Sequence, residues 1–429
     1  MDHEAVVWLV RDSCRLADNP ALNRAATLAQ KASATVIPLA CLEPRRWADQ
    51  QYGLPRTGVH WSRFRTKSLG ELRRDLDALG VGLWISATEP DQALQRLAED
   101  GFRVRTVVTD LPIATEERLE NAKLESEGYS VVTVESDDLF RAAQLPFELD
   151  ALPASFTKFR KLIEKAPALV PALPGETAPI DASPQRPWGD PSEWVEAVET
   201  LSQPSQSAWT GGRDAGLAHW RAYLEAGALS HYKETRNAFE GRFQSSGLSA
   251  WLAHGCLSVR EIWHDTLRYE QQFGANESTY WLRFELLWRE YFRWYSRASD
   301  WTLFRWTGPS DREPHGDRHP TRFRAWCEGS TGCDIVDAAM RELASTGWMS
   351  NRARQLVASH CIYESGLDWR LGAAWFEARL IDHDVASNWG NWAYIAGVGA
   401  DPRGGRIFNL DQQASRYDPE GAYRARWLG

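Results

Sequence analysis

Trp281-Leu-Arg-Phe-Glu285-Leu-Leu-Trp288-Arg289-Glu-Tyr-Phe292 is the stretch on which the reading of the second half of the chain turns. Its apolar and aromatic residues recur every three or four positions, the period of an α-helix and not of a strand. Trp281, Glu285 and Trp288 share one face at i, i+4 and i+7. A carboxylate between indoles suits a flat ligand with polar edges, such as a nucleobase, and a plain core stripe is the alternative. Glu285 and Arg289, one turn apart, have the spacing of an exposed ion pair.

The same texture extends in both directions. Leu217–Gly227, Ser258–Phe273, Ser278–Arg297, Asp334–Thr346, Asn351–Ser365 and Trp369–Leu380 predict helices, so residues 211–429 read as an all-α domain. Residues 1–140 alternate differently. The β-branched runs Val6–Val10, Thr35–Ala40, Val81–Ile85, Val104–Thr109 and Val131–Val134 are separated by amphipathic stretches such as Ser62–Ala78 and Asp91–Glu99. That alternation predicts an α/β domain with a doubly wound parallel sheet. No G-x-G-x-x-G follows the first strand, so a dinucleotide fingerprint is absent. Residues 141–210, with Pro167–Pro171 and Pro184–Pro187, read as a connector crossing the surface.

Composition narrows the function classes. The 429 residues are 43% hydrophobic and 25% charged, which fits a globular chain with more than one core. No run approaches eighteen apolar residues, and no basic segment precedes the first strand, so neither a membrane span nor a signal peptide is expected and the cytoplasm is the expected location. Cys14, Cys41, Cys256, Cys327, Cys333 and Cys361 contain no C-x-x-C pair, so buried thiols are expected, with no metal site or iron–sulfur cluster. A net charge of −9 argues against diffuse nucleic-acid binding and leaves room for a local basic face. The 22 Trp residues exceed what packing alone asks for and suit a stacking site or a redox path.

Polar residues cluster in three further blocks. Small hydroxyl residues surround Gly247 in Ser245-Ser246-Gly247-Leu248-Ser249, a pattern able to offer N–H and O–H donors to phosphate, or simply to cap a helix. Gly347-Trp-Met-Ser-Asn351-Arg352-Ala-Arg354-Gln355 follows. The last is Asp382-His-Asp384-Val-Ala-Ser-Asn388-Trp-Gly-Asn391-Trp392-Ala-Tyr394, where two carboxylates and an amide at i, i+2 and i+6 are aimed at something buried.

Together with Tyr232-Lys-Glu-Thr-Arg-Asn237 and Gly399-x-Asp401-Pro402-Arg403, these blocks resemble the FAD-binding domain of the photolyase/cryptochrome family, and most of all its DASH subgroup. The likeness runs from Tyr232 to Trp427, with looser matches at Arg15–Pro20 and Pro55–Gly58. It implies a blue-light flavoprotein that repairs cyclobutane pyrimidine dimers, with a photoreceptor of little repair activity as the alternative. FAD is the implied cofactor and dimer-containing DNA, single-stranded by preference, the implied partner of a monomer. Carried onto this sequence, Tyr232, Ser245, Ser246, Gly247, Leu248 and Ser249 hold the FAD diphosphate. Asp382, Asp384 and Asn388 face the isoalloxazine, with Arg289 beside the cofactor and Arg354 paired to Asp382. Glu285, Trp288, Asn351, Arg352, Gln355, Tyr394 and Gln413 contact the lesion or DNA. Trp392 and Trp369 are the proximal and middle members of a tryptophan electron chain. The distal member is replaced by Gly316, so Trp306 or Trp301 is expected to substitute. Pro112 stands where many relatives carry a folate-binding glutamate, so no folate antenna is expected.

Overall fold

The computed structural model describes residues 3–48, 50–166, 170–181, 187–189, 207–401 and 403–429. Five strands form one sheet: β1 (His3–Leu9), β2 (Thr35–Cys41), β3 (Trp84–Ser86), β4 (Phe102–Asp110) and β5 (Ser130–Val134). Every pairing is parallel and the order is β3-β2-β1-β4-β5. Parallel strands need crossovers, and helices Pro20–Ala32, Val59–Asp77, Pro90–Glu99 and Thr115–Ser126 supply them. Side chains of β1 alternate between two cores. Val6 and Trp8 enter the large core shared with the helical half, while Ala5, Val7 and Leu9 pack against Leu94, Leu97 and Leu124. A strand buried on both faces explains the unbroken apolar run in its sequence.

Between residues 141 and 210 the chain is less bare than its composition suggests. An amphipathic helix, Phe156–Lys165, buries Phe156, Phe159 and Ile163. The proline-rich motifs lie partly outside the described residues. From residue 211 onward the described elements are helical, the longest being Glu277–Ser299. The predicted helix from Asn351 ends at Ser359 and passes into a π-turn, His360–Glu364.

The two halves meet at the C-terminal edge of the sheet. Asp138, just after β5, receives Arg293 at 2.7 Å and Arg297 at 2.9 and 3.0 Å, all three side chains being buried. Burial alone would push Asp138 up, but the two guanidiniums outweigh it and hold the carboxyl well below the usual range. Glu290, on the same long helix, accepts the backbone N–H groups of Leu139 and Phe140 at 2.8 and 3.2 Å. At the far end, Tyr423 of the terminal helix Ala422–Leu428 donates to Glu342 at 2.6 Å.

Two outcomes are expected. Asp138→Ala removes the nearest carboxylate from two buried cations and should cost about 3–5 kcal/mol in urea or thermal unfolding; a loss under about 1 kcal/mol would show the cluster to be dispensable. Burial pushes Glu342 up to about 7, so folding takes up a proton there. Its contribution is complete below the unfolded carboxyl range and fades as pH rises through 7. Glu342→Gln should flatten stability between pH 5 and pH 8, measured by thermal unfolding across that interval.

Candidate functional site

Three helices converge to build a cavity of about 450 Å³. The long helix presents Glu285, Trp288 and Arg289, the Asn351–Ser359 helix presents Asn351, Arg354 and Gln355, and the Val385–Ala396 helix presents Asn388, Trp392 and Tyr394. Tyr232 and the whole Ser245–Ser249 loop complete the wall, with Asp382 and Asp384 at the start of the last helix.

Local chemistry explains these placements. Asp384 caps the Val385–Ala396 helix, accepting the Ser387 N–H at 2.7 Å. Burial pushes Asp384 up, yet Arg293 and Arg289 together hold it below its ordinary value. Arg354 grips Asp382 with a two-point ion pair at 3.1 and 2.8 Å, the planar fork that suits guanidinium and carboxylate. Asn388 donates its Nδ2–H to the Ala373 carbonyl at 2.9 Å, which fixes the amide and leaves its oxygen as the acceptor end. Trp392 lies on bare backbone: a Cβ on Gly372 would come within 2.1 Å of its ring.

Glu285 pairs with Arg236 at 2.5 Å and accepts the Trp281 indole N–H at 3.1 Å, so the pairing with Arg289 suggested by their spacing is not made. Arg289 instead donates to the carbonyls of Asp137 and Leu252. Burial raises the proton affinity of Glu285. Trp288 stacks on Phe156 with ring centroids 3.8 Å apart and lies edge-on to Tyr394.

Three of the residues assigned a catalytic, cofactor or DNA role in the sequence do not line this cavity. Trp369 is buried behind it and donates its indole N–H to the Trp306 carbonyl at 3.0 Å. Arg352 turns to Asn237 and packs over Phe408 and Tyr417. Gln413 stands on the Leu410–Tyr417 helix, with a buried Oε1 that has no hydrogen-bond partner. Gly316 has φ +111 and its missing Cβ would meet the Leu367 carbonyl at 2.3 Å, so the backbone leaves no room there for an indole. Pro112 gives its carbonyl to Arg297. Arg236, Trp348, Arg406 and Phe408 line the cavity and were not predicted as cofactor or DNA contacts. Arg236 lay inside a motif already quoted, whereas Arg406 and Phe408 reach the site through a loop with no periodic signal.

A second cavity, about 320 Å³, opens between the halves, with Arg45, Arg46, Arg56, Glu117, His383 and Trp389 among its walls. His383 faces it, Asp382 faces the larger one, and Asp384 borders both.

Comparison with known proteins accounts for this layout. The model of the DNA photolyase domain matches residues 5–179, and that of the FAD-binding domain of DNA photolyase matches residues 281–429. A cryptochrome DASH of Idiomarina loihiensis is 40% identical over all of this chain and 93% of its own length. The chain belongs to the photolyase/cryptochrome family, in its cryptochrome DASH branch. A Synechocystis cryptochrome structure superposes with a TM-score of 0.89 at 36% identity, over 100% of this chain and 89% of its own. A class III photolyase from Agrobacterium tumefaciens gives 0.80 at 27% identity, over 100% and 87%.

FAD is the cofactor of this family domain, and the larger cavity fits it. The volume lies in the range of ligand sites, a hydroxyl-rich loop with Gly247 at φ +63 lines one part, and a fixed amide beside an indole lines another. Arg354→Ala would leave Asp382 buried without its partner. It is expected to weaken FAD retention about ten-fold or more, read by equilibrium dialysis; parent-like affinity would detach the pair from the cofactor.

Proposed function

We propose that this DASH-branch protein repairs cyclobutane pyrimidine dimers in DNA under blue light, with single-stranded DNA preferred. The observation that carries the reading is one cavity in which Glu285, Trp288, Asn351, Gln355 and Tyr394 share walls with Asp382, Asp384, Asn388 and Trp392. Lesion and cofactor would therefore meet without crossing solvent. Reduced FAD, when bound, supplies the electron that splits the dimer and takes it back.

The chain's part is positioning. Tyr232 and Ser245–Ser249 hold the diphosphate, and Asp382, oriented by Arg354, faces the isoalloxazine with Asp384, Asn388 and the nearby Arg289. Trp288, backed by Phe156, is a rigid platform on which an extruded base stacks. Glu285, braced by Arg236 and Trp281 on the cavity wall, is placed to exchange a hydrogen bond with the edge of a base. Arg352 and Arg406, close to the aromatic rings of Tyr417 and Tyr394, and Gln413 supply a local face for the strand despite the acidic net charge. Extruding a dimer costs least from single strands, where no partner strand is lost.

Trp392 and Trp369 serve as internal electron donors. Trp306 takes the place that Gly316 vacates, since it touches Trp369 through its carbonyl and Arg370 covers its ring at 5.3 Å. Trp301 lines the other cavity instead. The net charge of −9 favours a photoreceptor with little repair as the second reading.

The test is repair of dimers by the chemically reduced protein under blue light, in single- and double-stranded DNA. Repair above background, faster on single strands, is expected; no repair of either substrate overturns the reading in favour of the photoreceptor. Glu285→Ala should lose roughly ten- to a hundred-fold in repair, the worth of one lesion hydrogen bond, while light-driven reduction of the flavin continues. Trp306→Phe should do the reverse and Trp301→Phe neither.

A further inference from the structure

One aromatic cluster stands against the Ser245–Ser249 loop, and the proposed repair gives no role to its central ring, Trp209. Trp209, which ends the connector, packs against three rings at once: His219 at 5.3 Å, Trp251 at 5.5 Å and Trp348 at 5.4 Å. Its indole covers Gly247 so closely that a Cβ there would lie 2.5 Å from its Cη2. Gly247 is in the left-handed region, φ +63, at the centre of the Ser245–Ser249 loop. His219 lies somewhat farther from that position, at 3.2 Å, and its Nε2–H donates to the Ser246 carbonyl at 2.7 Å. A carbonyl can only accept, so that nitrogen carries a proton, and burial pushes the His219 pKa down. The Trp251 indole N–H in turn holds the Thr210 carbonyl at 3.0 Å, fixing the backbone that carries Trp209.

We propose that Trp209 is a positioning residue for the cofactor: its indole occupies the space that Gly247 leaves open and holds the Ser245–Ser249 loop in the conformation that receives the FAD diphosphate. The inference rests on the reading of that loop as the diphosphate site. Its physical basis is preorganisation. A five-residue loop with one left-handed residue has many other conformations, and ordering it at the moment of binding would subtract from affinity. A wedge of rings orders it beforehand, and Trp348, which touches Trp209 and also lines the cavity, ties the wedge to the site itself. A methyl group at Gly247 would displace the indole; an empty space at Trp209 would release the glycine.

The experiment follows FAD release from the holoprotein after dilution, for the parent, Trp209→Ala, Trp209→Phe and the double variant Ser245→Ala/Ser249→Ala. Thermal unfolding of each protein is measured with FAD bound and after stripping. Trp209→Ala is expected to release FAD roughly ten-fold faster, and to narrow the gap in Tm between the loaded and stripped protein, with Trp209→Phe recovering most of both. A purely structural role would lower both Tm values together and leave the gap intact, which overturns the proposal. Release at the parental rate overturns it as well. The double variant tests the underlying reading separately: parental release there, with fast release from Trp209→Ala, would mean that Trp209 acts on the cavity by another route and not through the loop.

Discussion

Everything near the cofactor cavity depends on one buried ion cluster, Asp138 with Arg293 and Arg297. The carboxylate belongs to the chain leaving the sheet, and both guanidiniums belong to the helix that carries Glu285, Trp288 and Arg289. Charges removed from water must be matched, so the helix has one rotation and one height against the sheet. Arg293 also approaches Asp384 at 3.8 Å, which passes the alignment on to the helix bearing Asn388 and Trp392. The cavity is thereby referenced to a sheet that contributes none of its walls.

Much of this was legible in the residues, for reasons that differ by element. Parallel strands buried on both faces write themselves as unbroken apolar runs, and β1, β2, β4 and β5 fall close to the predicted ones. The run Val81–Ile85 was displaced: pairing covers only Trp84–Ser86, because an edge strand is limited by what lies beside it. Long amphipathic helices were equally plain. Where a helix departs from its own period, as in the π-turn after Ser359, nothing in the local pattern announces it.

For the site, motifs in four separate blocks turned out to border one cavity, since each block carries polar groups where a helix end or core face has no use for them. Residues that support those groups from behind were invisible. Phe156 under Trp288 and Trp209 over Gly247 both come from a segment whose composition reads as filler. Packing partners carry no signature of their own, because any large ring of the right shape satisfies the position.

Gly372 gives the Trp392 ring a distinct character. With backbone in place of a side chain beneath it, and Phe376 and Trp326 meeting it edge-on, the indole is held on the sides turned away from the cavity. A ring held in this way would ask little rearrangement of its surroundings if its charge changed. The absence of one methyl group, in a helix otherwise occupied with packing, thus limits how far that ring can shift beside the cavity.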